Sequence, residues 1–492
     1  MPASSNLYEI NTRVWLRGFD TPQGRATLAD IDPTFWDGLA QKGFDFVWLM
    51  GVWKTCPATV EKYCFEEGLV REYAKALPDW QREDVIGSPY AVDVYDVDPL
   101  VGTRQDLMKV RSDLNRRGIG LILDFVPNHF SADTSLLESH PEIFLEAGAG
   151  ELGASPQTFY RPDGLKGRVF AHGRDPNFPA WQDTVQVNWF SEAARRFMTT
   201  TLMGLTAFCD GVRCDMAILP LNDIFQRTWG PVLSRAGYER PGDEFWKTVI
   251  GGVKTSCGNF IFIAEAYWDM EWQLQQLGFD YTYDKRLRDR LLANDANALR
   301  EHLLADTDYQ RKSVRFLENH DEERAAAAFG SGRSMAAALV AGTIQGMHLY
   351  HHGQLEGKKV RLPIQLARAP AEPMDKHVAA FYDRLFAIIR EEVFRRGEWR
   401  LLDTGPAWEG DFSYPNILSW LWRHGKERRM VVVNLSDKTS TCRVRMDVKG
   451  YTDQFILEDI LNDRSYLRSS GEAASRGVYV ELGAYHGHVF RY

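Results

Sequence analysis

The stretch FCDGVRCD, residues 208–215, decides the fold. It begins as a short apolar run of the kind found in strands buried on both faces, and it ends on an arginine and an aspartate that are costly to bury unless paired. Three other runs have the same build. Residues 120–126 lead into DFVPNH (Asp124 to His129), residues 260–266 carry AEAYW (Ala264 to Trp268), and residues 314–319 lead into ENHD (Glu318 to Asp321). Further apolar runs at 8–16, 44–52, 279–283 and 347–351 bring the expected strands to eight.

Helical patterns alternate with these strands. The clearest is 103–117, where Leu107, Val110 and Leu114 form one apolar stripe and Gly118 supplies a stop. Eight strands alternating with helices predict an α/β fold, a (β/α)8 TIM barrel, rather than an open doubly wound sheet. Residues 130–206 are rich in Gly, Pro, Asp and Asn, and predict a loop-rich insertion after strand 3. From 396 onward the texture changes to short alternating stretches such as MVVVN (Met430 to Asn434), which predict a C-terminal antiparallel β-sandwich. The expected division is 1–129 and 207–395 for the barrel, 130–206 for the insertion and 396–492 for the sandwich.

The length of 492 residues suits about three domains at roughly 150 residues each. A composition of 44% hydrophobic and 25% charged residues is globular and excludes a disordered chain. The net charge of −9 gives no electrostatic basis for nucleic acid or an anionic membrane as partner. Neither a run of about 18 apolar residues nor a signal-peptide layout at the start is present, so the expected location is cytoplasmic. The six cysteines are too sparse for a disulfide framework, although a Cys56 to Cys64 bridge is conceivable. Aromatic residues are numerous, and flat apolar rings suit sugar faces, though core packing must use most of them. GAGELG (Gly148 to Ala154 without its last residue) fits a dinucleotide pattern, but it follows a helix-like stretch and is read as a helix exit. His486 and His488 are read as solvated edge residues rather than metal ligands.

In barrel enzymes reactive groups converge where strands end. Asp124 and Arg213 are read as a structural ion pair. That reading leaves Asp215, Glu265 and Asp321 converging with two histidines nearby. Crowded carboxylates raise one another's pKa, which allows one to act as a general acid while another stays ionised. That division of labour is glycosidase chemistry.

The four segments, in this order and on these strands, resemble the α-amylase superfamily of retaining α-glucoside-active enzymes, glycoside hydrolase family 13. Gly87-Ser88-Pro89-Tyr90, Asp98-Pro99 and Gly102-Thr103 also look like family features. The resemblance implies Asp215 as nucleophile, Glu265 as general acid/base and Asp321 as transition-state stabiliser. It further implies that Arg213 keeps Asp215 ionised, that His129 and His320 bind the sugar, and that Tyr90 stacks beneath it. The implied function is hydrolysis of α-glucosidic bonds in maltooligosaccharides or related α-glucosides, through a covalent β-glycosyl-enzyme. The alternatives are an α-glucan transglycosylase on the same residues and, more remotely, a non-catalytic sugar-binding homologue. The expected partner is an oligosaccharide, and oligomeric state is left open.

Departures from the family pattern are equally informative. Met216-Ala217-Ile218-Leu219 stands where many amylases carry a Lys-His pair, and the acidic residue in YHHGQLEG (Tyr350 to Gly357) is displaced. Asn128 matches a calcium ligand of the family, yet the insertion offers no compact ligand loop. No cofactor is therefore expected, a structural calcium is not favoured, and Asn128 is read as satisfying local backbone groups. Lys358, Lys359 and Arg361 form a basic run after the last strand, read as a solvated loop or as a receptor for an anionic sugar.

Overall fold

The apolar runs pair side by side as eight parallel strands: β1 (Ser4–Asn11), β2 (Phe46–Met50), β3 (Gly120–Phe125), β4 (Gly211–Cys214), β5 (Ile261–Ala264), β6 (Tyr281–Tyr283), β7 (Ser313–Arg315) and β8 (Gly346–His351). In the computed structural model, which describes residues 3–165, 167–446 and 453–492, they close in sequence order, with β8 returning to β1. Intervening helices cover the outside. The helix Arg104–Asn115 shows how: Thr103 and Asp106 cap its start, Leu107, Val110 and Leu114 are buried, and Gly118 follows at φ +76°.

Register places the polar strand residues beside one another. Arg213 on β4 pairs with Asp124 on β3, and Cys214 pairs with Ala264 on β5, so Asp215 and Glu265 leave adjacent strands at the same level. Glu9 on β1 lies between Trp48 and His351. Gly211 makes the close approach of β4 and β5 feasible, because a Cβ there would lie 2.6 Å from the Ile261 carbonyl oxygen.

The first strand ends earlier than expected. At Asn11 the chain turns into a helix, Thr12–Trp15, with the Asn11 side chain accepting from the Val14 amide. A second excursion, not foreseen, follows β2. It holds antiparallel strands Trp53–Thr55 and Val92–Val97 and helices Pro57–Tyr63 and Glu67–Ala76. After β3 come the antiparallel pair His129–Ser131 and Thr184–Gln186 and a small three-stranded sheet. The stretch expected to be loop-rich then ends in a regular helix, Glu192–Leu205, capped by Ser191. The GAGELG segment does not follow a helix: it joins the two-residue strand Glu146–Ala147 to the short helix Ala149–Ala154. That strand pairs antiparallel with Val169–Ala171, so the parallel unit needed for a dinucleotide is absent there. All six cysteines are free thiols, Cys56 and Cys64 included.

The C-terminal region packs a six-stranded against a three-stranded antiparallel sheet. Alternation explains how it joins the barrel. Met430 and Val432 face the sandwich interior, while Val431 and Val433 belong to the barrel's core. Trp420 and Trp422 both donate their indole N–H to the Thr343 carbonyl, at 3.0 and 2.6 Å, at the end of the barrel helix Ser331–Thr343. One short helix, Ser470–Arg476, interrupts the all-β texture expected here. No described helix is long and apolar enough to cross a membrane.

Candidate active site

Arg213 sits at the centre of the C-terminal end of the barrel, buried beneath Trp48, Tyr90 and Tyr283, whose ring centroids lie 5.0–5.6 Å from its guanidinium carbon. One terminal nitrogen donates to Asp215 Oδ1 at 2.7 Å. The other lies 2.8 Å from Glu265 Oε2, an ion pair without hydrogen-bond alignment. Asp124 is 3.7 Å away and accepts instead from the Gly51 amide. One cation therefore serves three buried carboxyls rather than Asp215 alone, but its aligned hydrogen bond goes to Asp215.

That asymmetry separates the two carboxyls. Burial pushes Glu265 up to about 7, against the opposing charge of Arg213 and with help from the negative charges of Asp215 and Asp321. Asp215 is also raised by burial, while the charge and hydrogen bond of Arg213 both pull it back. Glu265 accepts further hydrogen bonds from the Tyr267 hydroxyl at 2.8 Å and the Met216 amide at 2.7 Å. The chain around these groups is strained: Met216, Trp268 and Asp269 all have positive φ, at 40°, 60° and 65°.

Asp321 stands at the mouth with its side chain 45% exposed, 3.0 Å from His320 Nε2. This setting favours the charged form of His320. Burial opposes its charge, but Asp321 and Glu9 outweigh burial and raise it well above the usual imidazole value. Its Nδ1 donates to buried Glu9 at 2.6 Å, and Nε2 also meets the Tyr90 hydroxyl at 2.8 Å. Tyr90 stacks on the His320 ring with centroids 5.4 Å apart. His129, by contrast, is pushed down to about 3 by burial and stays neutral. Its Nδ1 accepts from the Asn128 side-chain Nδ2 at 3.3 Å, and its ring leans on Trp181.

The candidate catalytic and sugar-binding residues thus gather on this end of the barrel, with Arg213, Asp215, Glu265, Asp321, His320 and Tyr90 linked by direct contacts. Glu9 was missed, since a single acid in an apolar strand gives no signal of its own. Tyr267, two residues after Glu265, carries no signal of its own until its hydroxyl is seen on that carboxyl.

A calcium at Asn128 would need its side-chain oxygen. That oxygen accepts from Gln186 Nε2 at 2.9 Å, and the same nitrogen donates to the main-chain oxygens of Asn128 and Val187 at 2.8 and 3.0 Å. An N–H donor stands where a cation would have to approach, so these residues do not fit the ion. Among the described residues no group of three or more His, Cys, Asp or Glu could hold a metal. His488 is bonded to buried Asp459 at 2.6 Å rather than solvated, and His486 precedes its strand.

Solved structures with the same architecture cover nearly the whole chain. A maltogenic α-amylase from Thermotoga neapolitana matches at TM-score 0.69 and 20% identity, covering 99% of this chain and 98% of that one. The chain has the α-amylase fold. An α-amylase from Geobacillus thermoleovorans, solved in complex with acarbose, shares this fold at TM-score 0.67 and 16% identity over 99% and 98% of the two chains. By sequence, a cyclomaltodextrin glucanotransferase from Bacillus sp. (strain 1-1) is 24% identical over 276 residues, 54% of this chain and 37% of that protein. Alpha-amylase 2 from Dictyoglomus thermophilum is 51% identical over 39 residues, 8% of this chain and 7% of that protein. The chain thus matches well under half the length of either curated relative. No family model matches the chain.

Proposed function

We propose that this chain is a member of the α-amylase superfamily, a retaining glycoside hydrolase acting on α-glucosidic bonds of maltooligosaccharides or related α-glucosides. The observation that carries this reading is the sharing of one buried guanidinium by Asp215 and Glu265, with Glu265 pushed up to about 7. The span of one guanidinium suits a retaining pair, whose carboxyls stand roughly 5–5.5 Å apart and leave no room for an intervening water.

In the mechanism, Glu265 gives its proton to the leaving oxygen while Asp215 attacks the anomeric carbon. The glycosidic C–O bond breaks as the carbon–Asp215 bond forms, giving a β-glycosyl-enzyme. Glu265, now ionised and held by Tyr267 and the Met216 amide, takes a proton from water, which opens the ester with retention. Asp321 and His320 face the sugar, the carboxylate countering charge that develops at the ring carbon. Neutral His129 and Tyr90 supply hydrogen bonds and an apolar face.

Because Gln186 occupies the Asn128 oxygen, this reading uses no calcium. Release of reducing sugar from maltooligosaccharides by the wild type and not by Asp215→Ala tests it, and NMR of the first product should show the α anomer. A β anomer would sink the double displacement. The similarity to a glucanotransferase supports a second reading, transfer to a sugar hydroxyl by the same residues, which product profiles with and without added acceptor distinguish.

A further inference from the structure

Beyond Asp321 the mouth of the barrel continues into a cavity of about 430 Å³, walled by segments that follow β1, β2, β7 and β8. Asn319 and His320 form its boundary with the candidate site, and neither Asp215 nor Glu265 lines it. In an eight-stranded ring β1 lies across from β5 and β8 across from β4, so Glu265 and the leaving group it would protonate stand on the opposite side. The cavity therefore receives whatever extends from the glycone.

Most charges in this wall are already matched. Arg17 pairs with Asp20 at 3.1 Å, Arg368 with Asp84 at 2.8 Å, and Arg324 with buried Glu318 at 2.6 Å. Arg361 donates to the Asp321 carbonyl at 3.0 Å and lies 3.7 Å from Glu72, while Glu372 accepts from the amides of Lys359 and Val360. Arg25 and Glu83 are exposed to solvent, and among the described residues neither has an ion-pair partner. Lys358 differs from Arg25 in being shielded from bulk water. It is half-buried, and among the described residues no carboxylate lies within ion-pair distance of it.

Lys358 also stands beside a second cation, Arg324. Gly353, at φ +95°, leaves the space it uses: a Cβ there would lie 2.7 Å from Lys358 Cδ and 3.2 Å from a terminal nitrogen of Arg324. His352, in the same wall, is held down to about 3 by burial, then by Lys358, His351 and Arg324. Crowding an unmatched lysine against an arginine is unfavourable until an anion arrives. Lys359, the next residue of the basic run, is exposed and outside the wall.

We propose that this cavity binds a phosphate group carried by the saccharide on the glycone side of the bond, with Lys358 as its charge partner and Arg324 and His352 beside it. The placement of the saccharide rests on the glycosidase reading, whereas the anion site does not. Lysine serves phosphate as a point charge, and one such contact is worth about tenfold or more in affinity.

Calorimetric titration of the full chain with glucose 6-phosphate, glucose and inorganic phosphate tests the proposal. Wild type and Lys359→Gln should bind glucose 6-phosphate about tenfold more tightly than either other probe. Lys358→Gln should lose that preference, and salt near about 1 M should shrink it in the wild type. Equal binding of glucose 6-phosphate and glucose by the wild type would overturn the proposal, as would a preference that survives Lys358→Gln. Inorganic phosphate binding as tightly as glucose 6-phosphate would overturn the saccharide half. Should Lys358→Gln fail to fold, the wild-type comparison and its salt dependence decide. Turnover of maltotriose is measured separately: phosphate preference without turnover would sink the glycosidase reading and leave the anion site standing.

Discussion

Removing the Tyr267 hydroxyl asks directly whether Glu265 works as an acid. The phenol donates to Glu265 Oε1 at 2.8 Å, which favours the ionised carboxyl. A hydrogen bond to a charged group is worth about 1.5–3 kcal/mol and one between neutral groups about 1, so the ionised form loses about 1–2 kcal/mol more in Tyr267→Phe. At about 1.4 kcal/mol per pH unit this raises the Glu265 carboxyl by about one unit. Burial holds it at about 7 in the wild type, so the variant's acid persists to about 8. The assay is kcat/KM on maltotriose against pH, whose alkaline limb reports loss of the acid. That limb should move up by about one unit while the maximum falls less than about tenfold. A limb that stays in place or moves down would refute the role given to this hydrogen bond and to Glu265 as proton donor.

Three other outcomes follow from the same geometry. Asp321→Asn should lower kcat about a hundredfold or more with a smaller change in KM, since its charge counts most when the ring carbon turns cationic; steady-state kinetics with unchanged kcat would remove it from the site. Glu265→Gln should abolish most turnover and yet gain stability relative to wild type as pH rises from about 5 to 8, because a carboxyl raised to about 7 contributes stability below its unfolded value and loses it as pH climbs through 7. Urea titrations whose difference does not change with pH would contradict that. A chelator should leave the melting temperature unchanged, since Gln186 already occupies the Asn128 oxygen; a drop of several degrees restored by calcium would show a bound ion.

The barrel was legible because most of its strands are apolar runs that the chain buries on both faces, and the acidic strand ends stood out against that background. What the sequence hid was whatever depends on contacts between distant segments. Glu9 looks like one acid in an apolar strand until β1 closes against β8 and sets it under His320, more than three hundred residues away. Gln186 gives no sign of its bond to Asn128, which exists only because the strand Thr184–Gln186 folds back on His129–Ser131. Lys358, Lys359 and Arg361 are indistinguishable as a charge run, and only the turn at Gly353 sorts the lysine that enters the cavity from the one that does not. The early end of β1 is a local matter: Asn11 offers a helix cap that competes with continuing the strand.

The two indoles gathered on the Thr343 carbonyl make the C-terminal sheet a keystone rather than an ornament. Thr343 lies just ahead of β8, the strand that closes the ring, so the sheet anchors the last stave of the barrel. Detaching it would orphan a buried carbonyl and expose Trp420 and Trp422 to water, each a heavy loss on its own. Heat or urea should accordingly dismantle barrel and sheet in one cooperative step, and a chain truncated before Glu398 should emerge as aggregate instead of a trimmed, working barrel.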